Sequence, residues 1–262
     1  MKTNYSNPPF DYGSFLAQMA RGKVPGASLF NAFGERTEAG GTAERIVWPL
    51  AATQIPIIST SGGPLVFTCS SPNDTVGGTG INSVELYYLD SSLNQFIVEV
   101  PLNGGVFSTA SLTPAITDIR WPQCIHVCTV GNLRAAAGNI IGTIGGVEVT
   151  EILAGKTRCS SSVRRVPAGK RAMIGGAVGG SAAATADTSC IIRLSTSIFG
   201  DCDLSDSAAL IPQGTIPVEN GVATYVFPTP FPVPAGGWIA ITAETNKAAF
   251  FSADWFGWLE DE

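Results

Sequence analysis

Past residue 55 the chain is written in short apolar runs rich in Val, Ile, Thr and aromatic residues, broken by Gly, Pro or Asn every ~8 to 15 residues. This rhythm predicts strands near 55–60, 64–70, 82–89, 95–101, 117–130, 138–144, 147–153, 156–166, 170–178, 188–199, 222–227, 237–244 and 248–259. Between them, Asn103-Gly104-Gly105, Gly145-Gly146, Pro167-Ala168-Gly169, Asn220-Gly221 and Pro234-Ala235-Gly236-Gly237 supply the positive or fixed φ angles that tight reversals need. No helical period of useful length interrupts the pattern, which excludes folds that alternate helices with strands. The expectation is an all-β fold, an antiparallel two-sheet β-sandwich of jelly-roll type, over 55–262.

The first 54 residues read differently. Asp11 to Arg21 places Phe15, Leu16 and Met19 at helical spacing and stops at Gly22, which predicts one short helix. Pro25, Gly26, Gly34, Gly40 and Gly41 then follow in quick succession, a composition unsuited to a separate core. Residues 1–54 therefore read as an extended N-terminal arm, stabilised by lying across its own β-domain or a neighbouring subunit. Phe30, Phe33 and Trp48 are spaced along it. In the last strand aromatic side chains alternate onto both faces, Trp255 to one and Phe256 and Trp258 to the other. Phe15, Met19, Phe30, Phe33, Trp48, Trp255, Phe256 and Trp258 are the candidate interaction residues, and the competing role for each aromatic is to fill the sandwich core.

Charge changes the picture. The 262 residues include 15 Lys and Arg and 21 Asp and Glu, where an average domain of this length carries about 65 charged residues. Such a thinly charged surface is expected to be covered in part by other protein, as in a subunit of an assembly. The net charge of −6 argues against nucleic acid as a partner, because phosphate binding needs clustered Lys and Arg. The one local basic run, Arg164-Arg165 with Lys170-Arg171, reads as a solvated hairpin end. No apolar stretch approaches the ~20 residues of a membrane span, and the N-terminus lacks an apolar signal region. Cys69, Cys124, Cys128, Cys159, Cys190 and Cys202 are too sparse for a disulfide scaffold and read as reduced, buried thiols.

Candidate chemistry is thin. His126 is the only histidine, which removes sites needing two or more imidazoles. Cys124, His126 and Cys128 share one face of a strand, yet successive side chains stand ~6.6 Å apart, so a packed sheet face is favoured over a zinc site. The run Asp201-Cys202-Asp203-Leu204-Ser205-Asp206 lacks the glycine and closing glutamate of a calcium hand and reads as an exposed acidic turn, with calcium binding left open. Asp201, Asp203, Glu244 and Asp254 are available for a carboxylate pair, though nothing in the sequence groups them. Gly175 to Gly180 lacks the Lys-Ser/Thr pair of a phosphate loop and reads as a connector or bulged strand end, and Gly179 to Ala186 as an exposed loop tip or a patch packed on another chain. No catalytic residue, metal site or cofactor is expected.

Ser70 to Gly80 (Ser-Ser-Pro-Asn-Asp-Thr-Val-Gly-Gly-Thr-Gly), a strand ending in Leu89-Asp90 and a Val100-Pro101-Leu102-Asn103-Gly104 turn occur in that order. With Ala20 to Ala27, Val166 to Lys170 and the aromatic C-terminal strand, this pattern resembles virion structural proteins of tailed bacteriophages, notably of marine and cyanobacterial phages. Physically, Asn73 and Asp74 can cap a turn, and Gly77, Gly78 and Gly80 permit a tightly folded loop. The resemblance implies a capsid decoration or cement protein, or a head-tail- or tail-associated subunit, residing in the virion after assembly in the host cytoplasm. Its implied partners are further copies of itself, as a homo-oligomer (trimer), and virion proteins such as the major capsid protein or tail components, with neither nucleic acid nor membrane. The alternative is a receptor-binding tail or fibre module recognising a host glycan.

Overall fold

A computed structural model describes residues 17–38, 41–48, 62–183, 189–197, 210–218 and 221–262. Apart from a turn of helix at 17–20 and a short 3-10 turn at Thr109–Ser111, regular structure here is antiparallel strand. In chain order the strands are β1 (Ala27–Glu38), β2 (Gly41–Ile46), β3 (Leu65–Cys69), β4 (Ile81–Leu89), β5 (Gln95–Pro101), β6 (Val106–Ser108), β7 (Trp121–Val130), β8 (Ile140–Ile144), β9 (Val147–Ile152), β10 (Arg164–Arg165), β11 (Lys170–Ala183), β12 (Cys190–Ser197), β13 (Ile211–Val218), β14 (Gly221–Val233), β15 (Trp238–Thr245) and β16 (Ala249–Asp261). No helix among the described residues is long and apolar enough to cross a membrane.

The strands close two sandwiches. The larger has one sheet in the order β1-β16-β11-β14 and a facing sheet in the order β10-β15-β12-β13, with β2 also paired to β15. Leaving out the two-residue β10, its eight strands run first-eighth-third-sixth against second-seventh-fourth-fifth, the order of a jelly roll. Between the second and third of these strands the chain makes an excursion that builds the smaller sandwich, β6-β3-β8-β9 against β5-β4-β7. The expected all-β sandwich is thus present, with a second sandwich inserted in it.

Each sandwich has its own core, filled from alternating positions. Trp255, Phe251, Ile192 and Ile241 are fully buried in the jelly roll, and Phe67, Leu65, Ile81 and Leu86 in the insert. A third cluster of Trp48, Leu89, Trp121, Val163 and Trp238 welds the two together, with the Trp121 and Trp238 rings edge to face at 4.8 Å.

Several expectations are corrected. The expected arm does lie across its own β-domain, but as strand where none was expected: β1 pairs with β16 from Ala27↔Glu260 to Glu38↔Ala249, and β2 pairs with β15. Gly34 does not loosen this strand, because any Cβ there would run into the carbonyl of Val47. Phe30 and Trp255 pack edge to face at 5.2 Å inside the chain's own core, and Trp48 and Trp258 are buried as well. Met19 is buried; Phe15 and the predicted strand 55–60 lie outside the described residues. Arg164 and Arg165 are not a solvated hairpin end. Both are buried: Arg164 donates to the carbonyls of Ser161 and Val163, and Arg165 donates to that of Gly236 at 3.0 Å while stacking over Trp238. Lys170 and Arg171 instead pair with Asp261 and Glu260 across β11 and β16. Gly175 marks a register shift inside β11, and Gly179 to Ala183 continue that strand.

The Ser70–Gly80 segment is the clasp of the insert. The fully buried carboxylate of Asp74 accepts from the backbone N–H of Ile81 at 2.8 Å and of Ala137 and Gly138 at 2.9 Å, tying the start of β4 and the loop before β8 to one side chain.

Candidate functional site

Where the insert leans on the jelly roll, a groove opens between β1 and β16 on one side and β7 with the returning chain at 158–164 on the other. It has two adjoining lobes of about 230 and 280 Å³, both lined by Asn31, Cys124, His126 and Arg164. One lobe extends to Leu29, Tyr87 and Gln95, and the other to Phe33, Arg158, Asp254 and Phe256.

Strand register explains who faces the groove. Asn31 opposes Phe256, and Phe33 opposes Asp254; alternation sends these four outward while Ala32 and Trp255 point into the core. On the facing wall His126 forms an antiparallel bridge with Arg158, which brings their side chains to one face. The guanidinium of Arg158 lies 4.8 Å from the centroid of Phe33, and Lys156 and Ser160 both reach Glu35 one step along β1. The return strand is thereby held along the edge of the jelly roll.

The electrostatics are mixed. Burial lowers the His126 pKa, and Arg164 and Arg158 push it the same way, against Cys159 and Glu85, which push it up. Its ring sits 5.4 Å from that of Tyr87. The Tyr87 hydroxyl donates to Glu85 at 2.6 Å, a bond that does most to push its pKa up to about 12. Burial raises the Asp254 pKa, opposed by Arg158. Behind the groove the thiol of Cys124 is hydrogen-bonded to Cys159, which raises the former's pKa and lowers the latter's. Neither sulfur is hydrogen-bonded to His126 among the described residues, so no nucleophile is aligned with a base there. Nor do three His, Cys, Asp or Glu side chains converge as a metal cage among the described residues.

Of the candidate interaction residues, Phe33, Trp255 and Phe256 border this groove, Phe30 touches its other lobe, and Met19, Trp48 and Trp258 are buried. Cys124 and His126 do line one surface, whereas Cys128 is exposed and belongs to neither lobe. Glu244 is taken up by Arg193 at 3.0 Å, leaving Asp254 as the one considered carboxylate in the groove; the Asp201–Asp206 run lies outside the described residues. Arg158 and Asn31 were not foreseen, since they meet only because the insert returns beside β1.

A second feature is the outer face of the β1-β16-β11-β14 sheet. Across it Val222 and Val226 on β14 align with Gly180 and Gly176 on β11, and Phe250 with Ala182. Val222, Val226 and Phe250 are 77%, 55% and 39% exposed, apolar positions beside the groove on the same sheet face. Compared with protein-family models and with curated proteins, the chain finds no match.

Proposed function

We propose that the protein is a structural virion protein of a tailed bacteriophage, a capsid decoration or head-tail-associated subunit that works by protein–protein contact and not by catalysis. The observation that carries this reading is the set of exposed apolar side chains, Val222, Val226 and Phe250, on the outer face of the β1-β16-β11-β14 sheet. Large exposed apolar patches mark interaction surfaces, and burial at about 25 cal/mol per Å² makes even a modest contact effective when repeated over a lattice. The jelly-roll order and the short motifs around Asp74 and Asn103 support the same reading, since jelly rolls recur in capsid and lectin domains, although a fold alone does not fix a function.

The test is Val222→Asp with Val226→Asp. The unaltered protein is expected to be a homo-oligomer, a trimer, by light scattering and to cosediment with phage heads or tails, and the doubly substituted protein to be monomeric with unchanged circular dichroism. An unaltered protein that stays monomeric and ignores the particle overturns the proposal.

A further inference from the structure

We infer that the groove between insert and jelly roll is a binding site for a saccharide bearing a carboxylate, such as a uronic or sialic acid. This goes beyond the structural role above and does not rest on it.

The first ground is unused hydrogen-bonding capacity. Among the described residues the side chains of Asn31, His126, Arg158 and Asp254 make no hydrogen bond and no ion pair, although all four converge on one lobe. By contrast Lys170, Arg171, Arg193 and Lys156 each have a carboxylate partner. An amide, an imidazole, a guanidinium and a carboxylate left unpaired in one concavity at a domain junction form the convergent polar set of a ligand site.

The second ground is the sign and size of the charge. Two guanidinium groups, Arg158 and Arg164, face one carboxylate, Asp254, on a chain of net charge −6. A singly charged carboxylate suits this balance, and the open fork of Arg158 offers it two parallel donors. A phosphate dianion would meet the repulsion of Asp254 with little to offset it.

The third ground is the checkerboard on β1 and β16. Phe33 and Phe256 stand diagonal to one another, with Asn31 and Asp254 on the other diagonal. A sugar ring presents apolar C–H faces bordered by hydroxyl edges; Phe256 offers the aromatic surface for such a face, the Phe33 ring being stacked under the Arg158 guanidinium, with the amide of Asn31 and the carboxylate of Asp254 beside it. A fatty acid would leave Asn31 and Asp254 without partners, and burying them unpaired is costly.

The experiment is calorimetric titration of the full chain with trigalacturonic acid and its methyl ester, and with 3′-sialyllactose and lactose. At least one acidic sugar is expected to bind about tenfold more tightly than its neutral counterpart. Arg158→Gln should bring it down to the neutral level, Asn31→Ala should weaken it, and Arg134→Gln, which removes a charge elsewhere, should leave it unchanged. Equal binding of acidic and neutral sugars, no saturable binding at millimolar concentration, or equal losses from Arg158→Gln and Arg134→Gln would overturn the inference. Val222 lies opposite Gly180 and Ser252, none of which lines the groove, so the singly substituted Val222→Asp protein lets the sugar site and the assembly face fail separately.

Discussion

In the insert, strands of five to nine residues such as β3 and β4 bury Leu65, Phe67, Ile81 and Leu86, and the loops between them are gathered on the Asp74 carboxylate. In the jelly roll, strands of 12 to 14 residues (β1, β11, β14 and β16) run the length of one sheet, and glycine and alanine at their crossings let backbones approach closely. A methyl group on Gly257, for example, would collide with the carbonyl of Met173. One sandwich is fixed by a buried charge with directional bonds, the other by ladder length and small side chains. The insert accordingly depends on a point, and the jelly roll depends on a surface.

Asp74→Ala is the sharpest way to break the contrast. It leaves two buried N–H groups and one half-buried N–H group without their acceptor, and charged-group hydrogen bonds are worth enough that a loss of about 4 kcal/mol is expected. Calorimetry should then show the insert melting ahead of the jelly roll, and a single unshifted transition would refute the clasp. Trp121→Ala should cost about 3 kcal/mol by opening a cavity against Trp238. Because that pair lies at the weld, the loss should appear as two separated transitions and not as a uniform shift. The smallest effect is on Glu151 of β9, whose carboxyl is raised from 4.5 to about 7 by burial, with Glu148 adding to it. The folded form holds this proton between those pH values and the unfolded form does not, so stability falls as pH rises from 4.5 to about 7. Glu151→Gln, which keeps an acceptor for the Asn139 amide, should flatten that fall by about 1 kcal/mol in chemical denaturation.

The insert was the more legible half. Expected strands at 64–70, 82–89, 95–101, 138–144 and 147–153 fall on β3, β4, β5, β8 and β9, because short strands with one buried face advertise themselves by alternation. The jelly roll hid several of its strands. β1 carries Asn31, Gly34, Glu35 and Arg36 among its apolar residues and looked like an arm; β13 carries Pro212, Gly214 and Pro217, and β14 carries Pro228, Pro230 and Pro232. Proline removes ladder donors and is tolerated at sheet edges, where β13 and β14 stand. The groove was the least legible feature, since residues near 31, 126, 158 and 254 meet only through topology. Phe33 and Phe256 could be singled out as aromatics, but nothing local joined them to Arg158.

The excursion that builds the insert departs and returns through neighbouring points: the carbonyl of Val47 accepts the N–H of Ser162 at 3.2 Å. Both ends of a detour of more than a hundred residues are therefore spliced at one seam beside β15. A cassette of different size or shape could be grafted at that seam with its ends already matched, and the order of the eight framework strands would not change. The architecture is in that sense a frame with one socket, in which the eight framework strands and the inserted cassette meet at a single joint.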